Sequence, residues 1–329
     1  RSVEEIVEII KTNCKQQKQI RVVGTAHSFT KIADSKDILI SLCRHMKNVI
    51  RLDKNQHTCR IQGGITYAQL SVYLQQHGFA LSNLASLPHI SVAGSIQTAS
   101  HGSGWNQPIL SCQVLSLQIV NAQGKLEEIS TSHRLFSAAV VGLGLFGVIT
   151  ALTLRIIPSF QMSQVVYRDL KLDSLLHFKE IMNAGYSVSL LTNYQKKNVI
   201  NQVWVKSVVS PDIVVDTKLF SARQATKKLH PVGEHQSAQP CTEQMGCVGP
   251  WYERLPHFKT NFTPSSGHEL QTEYFIPMQH ALDAIQIVFK LFAQDMKRLL
   301  FVSELRTIAA DQFLMSPCFK QPSIGMHFT

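Results

Sequence analysis

The sequence is short of charge, of paired cysteines and of clustered basic residues. Charged side chains make up 16% of its 329 residues, against 44% hydrophobic. That balance is ordinary for a globular chain and excludes extensive disorder, and the length supports two domains, each with its own core. There is no Cys-x-x-Cys pair. The seven cysteines (Cys14, Cys43, Cys59, Cys112, Cys241, Cys247, Cys318) are odd in number and dispersed, so they read as reduced, mostly buried thiols of a cytoplasmic protein. A zinc site needs clustered ligands. The nearest candidates, His230 with His235 and Cys241 with Cys247, lie in a Pro/Gly/Gln-rich loop, and no metal is expected. The formal net charge of +10 admits a nucleic-acid partner. Yet the densest basic clusters are the dipeptides Lys196-Lys197 and Lys227-Lys228, so a solvated surface and no nucleic acid is the reading preferred.

No signal peptide is evident, and Arg1 stands where an initiator Met would, so the N-terminus reads as trimmed. The uncharged run Ser137 to Leu154 meets the length test for a membrane span. Gly142, Gly144 and Gly147 divide it, however, into a short helix (His133 to Val141), a turn and a strand (Val148 to Ile157) ended by Pro158. A buried unit and no membrane span is the better account.

Apolar residues at Val3, Ile6, Val7 and Ile10 predict an amphipathic helix over 2–13, capped by Ser2 with Glu5 three residues on. Strands follow to Gly24, at Ile38 to Leu42 and at Thr58 to Gln62, then a helix Tyr67 to Gln76, an alternation that builds a small α/β subdomain. Val114 to Val120 and Lys125 to Ser130 flank Asn121-Ala122-Gln123-Gly124 as a β-hairpin. The domain boundary is placed near Pro158-Ser159, giving domains over 1–157 and 158–329. Beyond it come longer strands, Ser187 to Thr192, Val199 to Val208 and Glu269 to Phe275, with helices near Leu172 to Ala184 and Gln279 to Met296. Ser210 to Asn261 reads as a long excursion over the sheet, a kind of loop that is often functional or mobile.

Three stretches carry functional signal. In Arg-Val-Val-Gly-Thr-Ala-His-Ser-Phe (21–29) a strand enters a small-residue turn, where the backbone N–H groups of Gly24, Thr25 and Ala26 can close around an anion such as a pyrophosphate. His27 sits at its rim, either functional or a polar loop residue bonded to its own backbone. The Gly, Ser, Thr and Ala residues of 85–104 suit close approach to a large flat ligand; a plain linker would lack the anchors Leu87, Ile90 and Ile96. Glu304 and Arg306, two apart in the strand-like run Leu299 to Ile308, emerge on one face. They form either a surface ion pair or a polar pair that accepts from hydroxyls and donates to an oxygen gaining charge.

With Leu143 to Thr150, the order of these motifs resembles the flavin-binding domain of the vanillyl-alcohol-oxidase superfamily. The run Cys241 to Tyr274 contains Cys-Thr-Glu-Gln, Gly-Pro-Trp-Tyr-Glu-Arg-Leu-Pro-His-Phe, Phe-Thr-Pro-Ser-Ser-Gly and Glu-Leu-Gln-Thr-Glu-Tyr. With Glu304-Leu305-Arg306-Thr307 and His327-Phe328-Thr329, it resembles the bacterial-type alditol oxidases of the sugar-alcohol and aldonolactone oxidase group.

The resemblance implies an α+β fold: a two-subdomain FAD-binding domain, then a mixed-sheet substrate (cap) domain. It implies FAD on the backbone of Gly24, Thr25, Ala26, His27 and Ser28, covalently attached through His27, with Ser86, Ser91, Gly94, Ser95, Thr98, His101 and Ile149 lining the cofactor. Ala26 replaces a family glycine, a substitution costly if the turn needs positive φ. The implied reaction is oxidation of an alditol's terminal alcohol with O2 as acceptor, giving an aldose and H2O2. Arg306 and Glu304 would be the catalytic pair and Ser86 and Thr329 would hold substrate hydroxyls, although the Ser86 hydroxyl also suits a turn or N-cap. An aldonolactone oxidase and a non-catalytic flavin- or partner-binding fragment are the competing readings. In the family a segment beyond the His-Phe-Thr strand returns with a lysine near the flavin. The expectation is therefore a fragment of a longer enzyme, or a shortened relative with an open pocket; a monomer is compatible with the sequence.

Overall fold

The computed structural model describes residues 2–210, 217–262, 269–292 and 300–329. The motif at 262–267, the end of the expected helix at Met296 and the start of the expected strand at Leu299 lie wholly or partly outside the described residues. The N-terminal helix is Val3–Cys14, where the Ser2 hydroxyl accepts from the Glu5 amide at 3.3 Å. Ile6 and Ile10 bury one face of it against Ile40, Leu42, Val120 and Val148.

Ile20–Val23 pairs in parallel with Ile38–Ser41 as a separate two-stranded sheet. Thr58–Gln62 does not join that unit, as its sequence position suggested. It pairs with Val49–Asp53 and with Val148–Arg155, in a five-stranded antiparallel sheet completed by the hairpin Val114–Val120 and Leu126–Ser130. Helix Tyr67–Gln76 is closed by a capping box, the Thr66 side chain meeting the Gln69 amide and the Gln69 side chain the Thr66 amide. The uncharged run is indeed a helix, turn and strand, but its helix is only Phe136–Ala139. Leu172–His177 is a 3-10 turn before the short helix Phe178–Met182, so that expected helix is also interrupted. Among the described residues no helix is long and apolar enough to cross a membrane.

The five-stranded sheet ends at Arg155 and a nine-stranded antiparallel sheet begins at Gln161. Its central order is Gln161–Lys171, Val199–Val208, Ser187–Thr192, Ser303–Ile308, Ser323–Phe328, Thr272–Pro277. Period-two alternation gives this sheet two unlike faces. Val188, Leu190, Val203, Val205, Leu305, Ile324 and Met326 pack against Ile181, Ile285 and Phe289 as an apolar core. The opposite face carries polar residues, and register aligns them in rows across the strands: Leu191, Glu304, His327 and Glu273 in one, Ser189, Arg306, Gly325 and Phe275 in the next.

Two segments cover the polar face. From the described part of the long excursion, Leu229 and Cys241 pack on Val166, Leu191 and Trp204. From the N-terminal half, Gly104 donates its amide to the Thr307 carbonyl at 3.1 Å, and the His257 amide donates to the Ser86 carbonyl at 3.1 Å. One core runs through both halves, since Trp251, Leu255, Ile308 and Phe313 pack with Ile61, Leu81 and Leu152. The cysteines are free; only Cys59, Cys241 and Cys318 are buried, fewer than their composition suggested.

Candidate active site between two cavities

The 21–29 turn and the Ser/Gly-rich stretch meet where side chains are smallest. The Ser91 amide donates to Thr25 Oγ1 at 3.3 Å. A Cβ placed on Gly24 would lie 2.2 Å from Ser91 Oγ, and one on Gly94 2.7 Å from the same atom, so glycine is what lets these backbones close. Ala26 sits at φ +54°, in the left-handed region that the sequence flagged as costly for a side chain. Together these segments line a cavity of about 330 Å³ whose walls include Gly24, Thr25, Ala26, His27, Ser28, Ser91, Gly94, Ser95, Thr98 and Ile149.

A second cavity of about 920 Å³ opens beside it, over the polar face of the large sheet. Its walls include Ser86, His101, Glu304, Arg306 and Thr329. His101 thus lies with the second group and not among the first cavity's lining. His27, Ile90 and Ser100 line both cavities, so the two meet there. His27 packs edge-on to His89, ring centroids 5.1 Å apart, and burial lowers the pKa of both rings. An elongated dinucleotide fits this arrangement: an exposed-backbone cradle for phosphates at one end, and a passage past His27 to a polar chamber at the other.

In the chamber, Glu304 and Arg306 are 7% and 8% exposed, so they are not the surface ion pair that remained open from sequence. Arg306 Nη2 donates to Glu273 Oε1 at 2.8 Å, its Nη1 lies 3.5 Å from Ser86 Oγ, and its Nε lies 3.8 Å from Glu304 Oε1. Glu273 reaches across the Gly325 position: a Cβ there would stand 2.8 Å from Glu273 Oε1. Its other oxygen is 3.3 Å from His101 Nε2. Burial by itself would raise the pKa of both carboxyls. Arg306 outweighs it, with His257 at Glu304 and His101 at Glu273, and holds both ionised, well below the usual carboxylate range. Burial lowers the pKa of His327, with Arg306 adding to it; its Nε2 is 2.9 Å from Thr329 Oγ1.

Sequence reasoning singled out Glu304, Arg306, Ser86 and Thr329, and the structure brings them into one chamber. It did not single out Glu273, His257, His327 or Lys206. Glu273, His257 and His327 stand inside motifs quoted for the resemblance, but only strand register places Glu273 and His327 beside Glu304 and Arg306, and only the loop that covers the sheet brings His257 to Glu304. Among the described residues no group of three or more His, Cys, Asp or Glu is placed to hold a metal.

The cradle, the passage and the chamber define a flavoprotein, and a family model described as "FAD binding domain" matches residues 1–130. In overall fold the chain is similar to the cholesterol oxidase of Brevibacterium sterolicum, with a TM-score of 0.76 at 14% identity over 99% of this chain and 75% of that one. It is 41% identical to an alditol oxidase of a Streptomyces species over 307 residues, 93% of this chain and 72% of that protein. It is 34% identical to the L-gulonolactone oxidase of Bos taurus over 168 residues, 50% of this chain and 38% of that protein. The chain therefore belongs to the alditol oxidase family, within the vanillyl-alcohol-oxidase superfamily, and is an FAD-dependent oxidase with the α+β fold expected.

Proposed function

We propose that the protein oxidises the terminal primary alcohol of an alditol, of the xylitol or sorbitol kind, to an aldose while O2 is reduced to H2O2. The observation that carries this reading is the buried Glu304–Arg306 pair with Glu273 beside it, facing a chamber that meets the cofactor cradle at His27. Residues 1–157 would hold FAD and residues 158–329 would supply the substrate side. Gly24 to Ser28 would hold the pyrophosphate, Ser91, Gly94, Ser95 and Thr98 the adjoining polar groups, and Ile149 the adenine end. His27 is the candidate for covalent attachment. When bound, FAD supplies hydride acceptance and the later transfer of electrons to O2.

The protein's own part is positioning and charge. Arg306 offers N–H donors to the reacting oxygen, which gains negative charge as its proton leaves. Glu304, ionised and acceptor-only, receives hydrogen bonds from substrate hydroxyls. Ser86, beside Arg306, and Thr329, held by His327, line up further hydroxyls of a short linear polyol, so that one end presents its C–H bond consistently. A chamber rimmed by fixed donors and acceptors rejects an analogue lacking hydroxyls more strongly than an apolar pocket could.

The test is to precipitate the purified protein with acid and look for flavin colour, then assay H2O2 with xylitol, sorbitol and gulonolactone. Colour held in the precipitate but lost to solution in His27→Ala is the expected result, with higher kcat/KM on the polyols. Turnover of the lactone alone would transfer the reading to the aldonolactone oxidases, and a flavin-loaded protein inert to all three would sink it.

A further inference from the structure

Lys206 takes no part in the chemistry above, yet its side chain is buried to 1% exposure on the polar face of the large sheet. Its Nζ donates to the carbonyl oxygens of Leu255 and Pro256, the latter at 3.1 Å, and stands 3.1 Å from His257 Nδ1. His257 Nε2 stands 2.7 Å from Glu304 Oε1. Three acceptors around Nζ match the three N–H bonds of an ammonium, which can only donate. Nδ1 must then accept, the ring proton sits on Nε2, and from there it is donated to Glu304. Trp204 packs edge-on to the ring at 4.9 Å, and the His257 backbone is held on both sides, its amide by the Ser86 carbonyl and its carbonyl by the Thr242 amide.

We propose that Lys206 and His257 are positioning residues for this oxidation: the Lys206 ammonium fixes the His257 tautomer, and that tautomer holds Glu304 ionised and aimed as the acceptor for polyol hydroxyls. The inference rests on the reading of Glu304 as a substrate acceptor. If Lys206 loses its proton, its amine can accept from Nδ1–H, and the Nε2 lone pair is then turned towards a carboxylate oxygen. That contact is repulsive and releases Glu304. The groups facing Lys206 are His257, Glu304, Arg306 and the Cys241 thiol. Burial lowers the Lys206 pKa, with Glu304 opposing and Arg306 adding, to about 7 in all, so substrate affinity falls as the pH rises through it.

Two measurements on the FAD-loaded protein separate this inference from the functional reading. With ¹⁵N-labelled histidine, the His257 signal, identified by its loss in His257→Gln, is expected to show a proton on Nε2 below the transition and a change of tautomer as the pH passes about 7. Lys206→Met is expected to remove the pH response of that tautomer, and in steady-state assays with xylitol to raise KM about tenfold at neutral pH with kcat little changed. Retained FAD shows that the variant is folded; if Lys206→Met and Lys206→Gln both lose FAD, the wild-type tautomer and its pH response decide alone. A wild-type proton on Nδ1, or a tautomer and KM indifferent to Lys206, overturns the inference even if polyols are oxidised. A responsive tautomer in a protein inert to polyols overturns the polyol reading and leaves Lys206 in control of Glu304.

Discussion

Replacing Arg306 with methionine removes the cation shared by buried Glu304 and partly buried Glu273. Nη2 bonds Glu273 at 2.8 Å and Nε lies 3.8 Å from Glu304. Taking one partner from a buried pair costs about 3–5 kcal/mol, because the remaining charge has neither water nor a counter-ion. His257 still donates to Glu304 and His101 still stands beside Glu273, so the lower end, about 3 kcal/mol, is expected. At roughly 2–4 °C per kcal/mol for a chain of some hundreds of residues, the melting temperature falls by about 6–12 °C. The assay is thermal unfolding followed by circular dichroism, with FAD in equal excess for each variant. Adding Glu273→Gln to Arg306→Met is expected to recover about half the loss, since one of the two orphaned charges is gone. The sign of the pH dependence follows from the lowered carboxyl pKa values. As pH falls below the ordinary value of 4.5 the unfolded chain takes up protons first, so the wild type loses this stability in acid and the variant, with less to lose, converges on it. A melting shift under about 2 °C, or no recovery in the double variant, would refute the shared-cation reading.

Two further substitutions probe places where a small or strained residue makes the site possible. Gly325→Ala puts a Cβ 2.8 Å from Glu273 Oε1, so Glu273 must leave Arg306; kcat/KM on xylitol is expected to drop about tenfold with FAD content unchanged, and full activity would show that the Glu273 contact is dispensable. Ala26→Gly relieves a left-handed backbone at φ +54° and is expected to stabilise the protein by about 0.5–1 kcal/mol, the residue's greater freedom in the unfolded chain offsetting part of the gain; a lower melting temperature would contradict this.

What the sequence made legible, and what it hid, divides along the range of the interactions. The helix from Val3, the hairpin around Asn121 to Gly124 and the shared face of Glu304 and Arg306 each depend on neighbours within one element, where periodicity is visible. Strand Gln161–Lys171 was not legible because Gln164, fully buried, donates its side-chain Nε2 to Thr242 and Glu243 of a distant loop, and a buried glutamine looks like a loop residue until that partner is known. Thr58–Gln62 was read as a strand but grouped with the strands that precede it, because its partner Val148–Arg155 is chosen by packing far along the chain. The chamber is an extreme case. Glu273, His327 and Glu304 form a row across three strands, and Glu273 crosses to Arg306 only over the bare Gly325. Lys206 belongs to the same face but is sealed beneath Leu255 to His257. Period two assigns each of these residues to a face of its own strand, and only the register between strands, together with the segment that covers the face, turns separate side chains into one charged group. Residues whose role lies within a strand are therefore readable one strand at a time, whereas those that tune it from neighbouring strands are not.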